Sequence, residues 1–211
     1  MARPNTDIEA VRVQLLDHVE AMIRQRGGST VTLSDLASAA NMSPANLYRF
    51  FENKEALYEA VAERWFAPKI RIMEEVVESD LPVREKLYQF FARRFVLMCA
   101  NHDADLPLFR SYLALGREHI DIVRGYLDLG DHYMAMIISE AASEGYFPGL
   151  TIDEAVSLIN LMVQPFVDAE AIVDLRRSVT EAKLATIIDT IFEGLRGKES
   201  QQSEVPYSIA A

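Results

Sequence analysis

Residues 32 to 57 constrain the fold of this chain most strongly, because they specify two short helices, a tight turn between them and the start of a third helix. Thr32 is a favoured N-cap ahead of an apolar helical stripe. Asn41 tolerates the left-handed backbone that a tight turn requires. Ser43 followed by Pro44 is the typical start of a helix, which is predicted to cover about residues 43 to 50. The segment therefore predicts a helical pair held at a fixed angle.

Such a pair forms a helix-turn-helix, in which the exposed first turn of the second helix enters the major groove of DNA. Packing alone would explain the Leu, Ala and Phe residues at helical spacing. It does not require the Ser-Pro start, the Asn in the turn, a Tyr directly after Leu47, or a Lys at the start of the next helix. These polar positions favour DNA binding over a hairpin that only packs.

The same residues resemble the DNA-binding domain of TetR-family one-component transcriptional regulators. The resemblance lies in the pattern T-L-x-x-L-A-x-x-A-N-M-S-P-x-x-L-Y-x-x-F-x-x-K-E-x-L. It implies phosphate contacts from Tyr48 and Lys54, and base-edge contacts from the first turn of the second helix. Phe50 departs from the family, which often has His or Tyr there, and a phenyl ring cannot donate to a phosphate. The DNA-binding residues implied are Thr32, Ser43, Pro44, Ala45, Asn46, Tyr48 and Lys54.

The charge of the chain is unevenly distributed. The whole sequence carries 21 basic and 32 acidic residues, a net charge of -11, which argues against a broad basic surface for nucleic acid. Residues 1 to 56 hold 6 of the 21 basic and 7 of the 32 acidic residues, so 15 basic and 25 acidic residues follow. We expect DNA binding through a few well-placed contacts, with modest nonspecific affinity and steep salt dependence.

Helical periodicity covers nearly the whole sequence, and we find neither strand-like alternation of useful length nor an internal repeat, which predicts an all-α protein. Residues 1 to 56 are predicted to form a three-helix DNA-binding domain. A long helix from Lys54, kinked at Pro68, joins it to a larger helical bundle over residues 57 to 197, expected to bind an effector and to dimerise. Residues 198 to 211 are predicted to be disordered. Other helices are predicted over 83–101, 106–116 and 118–145.

Two strongly apolar helices close the chain. They resemble the final helices of TetR-family chains, which pair with their copies as a four-helix dimer interface, and an ordinary intrachain core is the alternative. A dimer of this kind would bury on the order of 2,000 Å² or more. The residues predicted at the interface are Ile159, Met162, Phe166, Leu184, Ile187, Ile188, Ile191, Phe192 and Leu195.

An effector pocket is predicted among the helices of the bundle. Aromatic and Met side chains suit an apolar or aromatic ligand, although most such residues in a bundle are core. The predicted lining residues are Phe95, Met98, Tyr112, Leu113, Tyr126, Tyr133, Ile137 and Phe166. Polar side chains that would orient a ligand are Arg94, Arg110, His119, His132 and Asn160.

Other functional classes receive little support. His102, His119, His132 and neighbouring aspartates have suitable ligand chemistry, but their spacing matches no defined metal site, so no metal and no cofactor are predicted. No catalytic motif occurs, and no enzyme activity is expected. The single cysteine, Cys99, lies among apolar residues and is predicted to be buried and unreactive. No leader and no membrane-spanning run is recognised, so a cytoplasmic location is expected.

Two functions follow from these observations. The favoured one is a dimeric repressor that binds a palindromic DNA operator and is released by a small effector. The alternative is a helical ligand-binding or protein-interaction module whose helix-turn-helix never enters a groove.

Overall fold

The computed structural model describes residues 8–27 and 31–195, and these residues form ten helices and no strand, which confirms the predicted all-α fold. The prediction for residues 198 to 211 lies outside the described residues. In chain order the helices are α1 (Ile8–Arg26), α2 (Leu33–Ala39), α3 (Pro44–Leu47), α4 (Lys54–Val77), α5 (Val83–Ala104), α6 (Leu106–Glu118), α7 (Ile120–Ser143), α8 (Ile152–Val167), α9 (Ala169–Leu175) and α10 (Glu181–Gly194).

Helix α4 connects the two halves of the molecule and begins at Lys54, as predicted. The Asn53 side chain caps it by accepting the N–H of Ala56 at 2.8 Å. The helix continues through Pro68 to Val77. Helix α4 therefore spans both halves of the molecule.

The later helices match the predicted order, with one addition. Helix α7 stops at Ser143, and Gly145 follows with a φ of 88°, a left-handed conformation that suits glycine. The unpredicted element is α9, which is bent by 50° from α8. Asp168 lies between them, and its carboxylate accepts the N–H of Glu170 at 2.8 Å. This cap starts a new helix where apolar periodicity alone suggests a continuous one.

Two hydrophobic cores lie along α4, one at its N-terminal part and one at its C-terminal part. The first, here called the head core, is built from α1 to α4 and also contains Tyr112 and Leu115 of α6. The second fills the regulatory bundle of α5 to α10 together with the C-terminal half of α4. The single tryptophan, Trp65, packs against both. The head core therefore extends past residue 56 along α4 and recruits side chains from the regulatory bundle.

Polar contacts, in addition to these apolar ones, join residues 1 to 56, here called the head, to the rest of the molecule. Arg64 of α4 pairs with Asp17 at 2.5 Å and with Glu20 at 3.1 Å, both on α1. Glu20 also accepts the Tyr112 hydroxyl at 2.5 Å. Ser111 of α6 donates to the carbonyl of Ile23 at 3.1 Å. Helices α1, α4 and α6 are thus fixed against one another by directional contacts.

Candidate nucleic-acid interface

Helix α2 begins at a complete capping box. The Thr32 hydroxyl accepts the N–H of Asp35 at 3.1 Å, and the Asp35 carboxylate accepts the N–H of Thr32 at 3.2 Å. The Asp35 carboxylate also pairs with Arg26 at 2.9 Å, and these contacts, the Arg26 hydrogen bond above all, hold the pKa of Asp35 well below its usual range. The Asp35 carboxylate at the start of α2 therefore stays ionised at neutral pH.

The turn after α2 has the geometry that Asn41 was predicted to provide. Asn41 has a φ of 52°, in the left-handed region. Its N–H bonds to the carbonyl of Ser38 at 3.2 Å, and the N–H of Met42 bonds to the carbonyl of Ala37 at 2.8 Å. This pair of bonds is a Schellman motif, which ends a helix and sets the direction of the chain that follows. The turn therefore fixes the angle between α2 and α3.

Helix α3 is shorter than the predicted segment of about 43 to 50. The Ser43 hydroxyl accepts the N–H of Asn46 at 3.3 Å, and Pro44 occupies the first position. The regular helix ends at Leu47, which is buried, and a turn continues through Phe50, whose N–H bonds to the Leu47 carbonyl at 2.9 Å. Ser43, Pro44 and Ala45 are exposed, and Asn46 is half-buried.

The predicted phosphate-binding residues both follow this short helix. Tyr48 is 56% exposed, although large aromatic residues are usually buried. Lys54 lies in the first turn of α4 with its ammonium 5.4 Å from the centre of the Tyr58 ring. Phe50 is half-buried and packs against the head core. Tyr48 and Lys54 thus present polar groups at the two ends of the segment that follows α3.

Among the described cations of the head, three of five are already paired with acidic groups. Arg24 pairs with Asp105 at 2.6 Å, and Arg26 with Asp35. In the described part of the head, Arg49 and Lys54 have no carboxylate within ion-pair distance. Arg49 was not among the predicted contacts. It is exposed and donates to the Asn46 side chain at 3.4 Å, so it lies beside the predicted base-reading turn.

Family comparisons agree with this geometry. A model described as "Bacterial regulatory proteins, tetR family" matches residues 15–61, and one described as "Tetracyclin repressor-like, C-terminal domain" matches residues 83–188. The chain belongs to the TetR family. The matched family is described as one of bacterial regulatory proteins, which disfavours the interpretation as a packing or interaction module.

Similar proteins include regulators of fatty acid metabolism. The fatty acid metabolism regulator protein of Bacillus subtilis is 26% identical over 123 residues, which span 56% of this chain and 63% of that protein. The solved structure of FadR from Bacillus halodurans covers 96% of this chain and 100% of its own at 16% identity and a TM-score of 0.64. FadR from Bacillus subtilis in complex with stearoyl-CoA covers 86% and 98% at 19% identity and a TM-score of 0.65. At these identities the two structures show a shared fold.

The predicted effector residues of this TetR-family chain do not surround one space. Phe95, Met98, Ile137 and Phe166 are buried in the regulatory core, and Leu113 packs at its margin. Tyr112 belongs to the head core, where burial and the Glu20 contact raise its pKa. The remaining two predicted effector residues belong to α7. Tyr126 stacks on Phe66 with ring centres 4.5 Å apart, and the Tyr133 hydroxyl donates to Glu74 at 3.0 Å.

Two cavities occur near the junction of the head and the regulatory bundle. An open cleft of about 430 Å³ lies between α1, α4 and α7, and Tyr126 is the predicted effector residue in its wall. A smaller apolar cavity of about 40 Å³ has Tyr112 in its wall, together with Trp65 and His119. The His119 ring stacks on Tyr58 at 4.0 Å, and its buried Nε2 atom has no hydrogen-bond partner among the described residues.

The residues predicted at the dimer interface divide into two sets. Six have at most 3% of their surface exposed, because α8 and α10 pack against α5 within the same chain, so these six present almost no surface to a partner. Ile187 and Leu195 are half-buried. Met162 is 38% exposed, and its neighbour Leu161, which the prediction omitted, is 69% exposed. The buried set comprises Ile159, Phe166, Leu184, Ile188, Ile191 and Phe192.

The histidines considered as metal ligands lie apart. His102 contacts Asp103 at 2.9 Å, His119 faces the small apolar cavity, and His132 is exposed on α7. Among the described residues, no three His, Cys, Asp or Glu side chains are grouped as metal ligands would be. Within the same residues no single helix is long and apolar enough to cross a membrane, although the bent pair α8 and α9 reaches that length and composition together.

Proposed function

We propose that this TetR-family regulator is a dimeric repressor that binds a palindromic operator and is released by a small effector with an apolar or aromatic body. The first turn of α3 carries the proposal, because Ser43 and the Schellman turn hold it in place while Ser43, Pro44 and Ala45 remain exposed. Occupying a promoter is sufficient for repression. Two heads related by a two-fold axis would read half-sites roughly 34 to 36 Å apart.

The DNA contacts divide into reading and positioning groups. Pro44, Ala45 and Asn46 would face base edges, and the Asn46 amide suits the paired donor and acceptor of adenine. Phosphate contacts would come from Tyr48 and Lys54, with further contacts to the DNA backbone at the helix starts of Thr32 and Ser43.

Selection of bound sequences from a random duplex pool tests this assignment. We expect a palindrome to be enriched and to bind tightly with a steep salt dependence. Lys54→Gln should weaken binding to all duplexes and reduce the salt slope by about one unit, whereas Asn46→Ala should change base preference. Arg71→Gln, which removes an exposed charge from the middle of α4, is the control. No enrichment by folded protein at low salt would refute the proposal.

The dimer surface is proposed to lie on the exposed side of α8. Leu161 and Met162 are adjacent, apolar and accessible, whereas the buried residues of α8 and α10 form the platform beneath them. Leu161→Glu would place a charge in the interface and should convert the dimer to monomers at micromolar concentration in sedimentation velocity. Val13→Glu, at a 53% exposed residue of the head, should leave the mass unchanged. A monomeric wild type would contradict the dimer.

The effector class is supported by residue chemistry and by the relatives. The regulatory core is rich in Phe and Met side chains, which accommodate apolar molecules. Relatives act in fatty acid metabolism, and one was solved with stearoyl-CoA. Release requires the effector to bind more tightly to the dimer conformation in which the spacing of the two heads does not match the half-sites. The coupling free energy is typically about 1 to 3 kcal/mol. Adding candidate ligands to a preformed complex with the selected duplex measures this coupling as a change in DNA affinity.

A further inference from the structure

Two cationic side chains, Lys69 of α4 and Arg94 of α5, lie inside the regulatory bundle. Lys69 is only 7% exposed, and Arg94 is half-buried. Neither has a carboxylate within 4.0 Å among the described residues. Lysine and arginine are almost never buried without an anionic partner, because removing the charge from water is unfavourable. These two residues, here called the cation pair, therefore require an explanation.

The present partners of both cations are neutral. The Lys69 ammonium donates to the carbonyl of Trp65 at 2.7 Å and lies 3.8 Å from the centre of the Trp65 ring. The Arg94 Nε donates to the carbonyl of Phe90 at 2.7 Å, and the guanidinium lies 4.0 Å from the centre of the Phe90 ring. Each cation is folded back on the carbonyl four residues earlier in its own helix. An ammonium has three donors and a guanidinium five, so most of their donors remain for another acceptor.

The two cations belong to one small region. Arg94 Nη1 lies 3.4 Å from the sulfur of Met73, which is one helical turn after Lys69 on the same face of α4. The neighbouring position on α7 is Gly130, where an added Cβ would lie 3.9 Å from both Arg94 Nη1 and the Met73 sulfur. No side chain from that position covers the guanidinium.

The electrostatic effect of this placement is strong. Burial, and then the nearby charge of Arg94, lower the pKa of Lys69 to about 7. Burial also lowers the pKa of Arg94 to about 10, although Asp131 acts in the opposite direction. The Asp131 side chain accepts from Asn160 at 2.8 Å and is exposed, so it is engaged outside the cation pair. An anion placed between Lys69 and Arg94 would relieve both effects.

We propose that Lys69 and Arg94 form the head-group site for an organic anion, a carboxylate or a phosphate, whose apolar or aromatic body packs against the surrounding rings. This inference rests on the proposed function, since it names the chemical class of the effector. Arginine binds such heads through two parallel hydrogen bonds, and a low-dielectric setting strengthens them. The rings near the pair are Trp65, Phe66, Phe90 and Phe91.

A purely structural role is the alternative. Lys69 would then serve only to satisfy the Trp65 carbonyl, which lies in the turn disturbed by Pro68, and Arg94 would serve only to cover Phe90 and Phe91. The two explanations differ in one respect. A structural pair has no preference for a charged ligand over an uncharged ligand of the same shape.

The site can be tested with probes of matched shape on the full chain. Decanoate, decyl phosphate and decan-1-ol share an aliphatic body, and 2-naphthoate and 2-naphthylmethanol share an aromatic one. Trp65 is the only tryptophan and touches Lys69, so its emission should report ligand binding, with thermal unfolding as a second readout. We expect at least one anion to bind saturably and about tenfold or more tighter than its alcohol, and the carboxylate and phosphate arms distinguish the head.

Substitutions at the pair separate charge recognition from simple apolar binding. Lys69→Met and Arg94→Gln should each reduce the anion preference about tenfold while leaving alcohol binding unchanged. Arg71→Gln removes the same charge from an exposed position two residues from Lys69 and should bind like wild type. Circular dichroism and a cooperative thermal unfolding transition establish that each variant is folded.

Three results would overturn the inference. These are equal affinity for anion and alcohol, no saturable binding of any anion up to about 1 mM, and full retention of the anion preference in the double variant. Charge-selective binding that leaves DNA affinity unchanged would support the anion site and refute effector-controlled release. The titrations read binding directly, so the site is tested independently of the operator.

Discussion

The contact between Tyr58 and Val31 gives the sharpest quantitative prediction. The Tyr58 hydroxyl accepts the Val31 N–H at 3.0 Å and donates to the Val31 carbonyl at 3.1 Å. Tyr58 is 3% exposed and Val31 is fully buried, directly before the cap of α2. Tyr58→Phe would leave two backbone groups without their partner. At about 1 to 3 kcal/mol for each of the two unsatisfied groups, we expect a loss of about 2 to 6 kcal/mol.

Urea and thermal unfolding at fixed protomer concentration measure this loss. For a chain of this length the thermal midpoint should fall by about 4 to 24 °C, with a parallel loss of operator affinity as α2 is released. Tyr133→Phe is the matched control, since its hydroxyl donates to the exposed carboxylate of Glu74 and its loss should change stability by less than about 0.5 kcal/mol. If both variants unfold like wild type, the Val31 groups have other partners and the reasoning fails.

Three further predictions concern charge and backbone conformation. Lys69→Met should raise the free energy of unfolding at pH 7, because the pKa of Lys69 falls from 10.5 in the unfolded chain to about 7 in the fold. The folded state therefore binds this proton more weakly than the unfolded state. Urea unfolding from pH 7 to 10 should show the stability difference between variant and wild type shrinking as the pH rises. Gly125→Ala should stabilise α7 by about 0.5 to 1 kcal/mol, since an added Cβ meets no atom within 4 Å, whereas Gly145→Ala, at a φ of 88°, should destabilise by about 1 to 2 kcal/mol, both read from denaturant midpoints. The Asp103–Arg176 contact holds the pKa of Asp103 at about 2, so its contribution to stability should be constant above the usual carboxyl range and lost in acid as the pH falls toward 2; a flat difference between wild type and Asp103→Asn over that range would contradict it.

The DNA-binding region could be predicted from the sequence because each of its features is local. A capping Thr or Ser satisfies backbone groups three residues away, and Asn41 needs only its own left-handed conformation to end α2. Such features depend on a few consecutive residues, so they can be recognised from the sequence alone. Arg49 was missed because it is of interest only for its position: it is exposed, it has no carboxylate partner among the described residues, and it lies beside Asn46. Only the fold shows these features.

The regulatory half could be predicted less completely, because apolar periodicity shows that a helix face is buried but not what buries it. Ile159 and Ile188 were assigned to a partner chain, and they pack within their own chain. Tyr112 was assigned to an effector pocket, and it completes the head core instead. The burial of Lys69 has no signature at all in the sequence, since its position on α4 resembles any other surface lysine until α5 and α7 are in place.

The composition of the head core bears on how this regulator folds. Tyr112 and Leu115 of α6 are buried among residues of α1 to α4, and Trp65 packs against both cores. A fragment ending near residue 61, where the family match to the DNA-binding domain stops, would lack those α6 side chains and expose the surface they cover. We expect such a fragment to be a poor autonomous folding unit, and the intact chain to unfold as one cooperative unit in which loosening of α6 lowers the stability of the DNA-binding head.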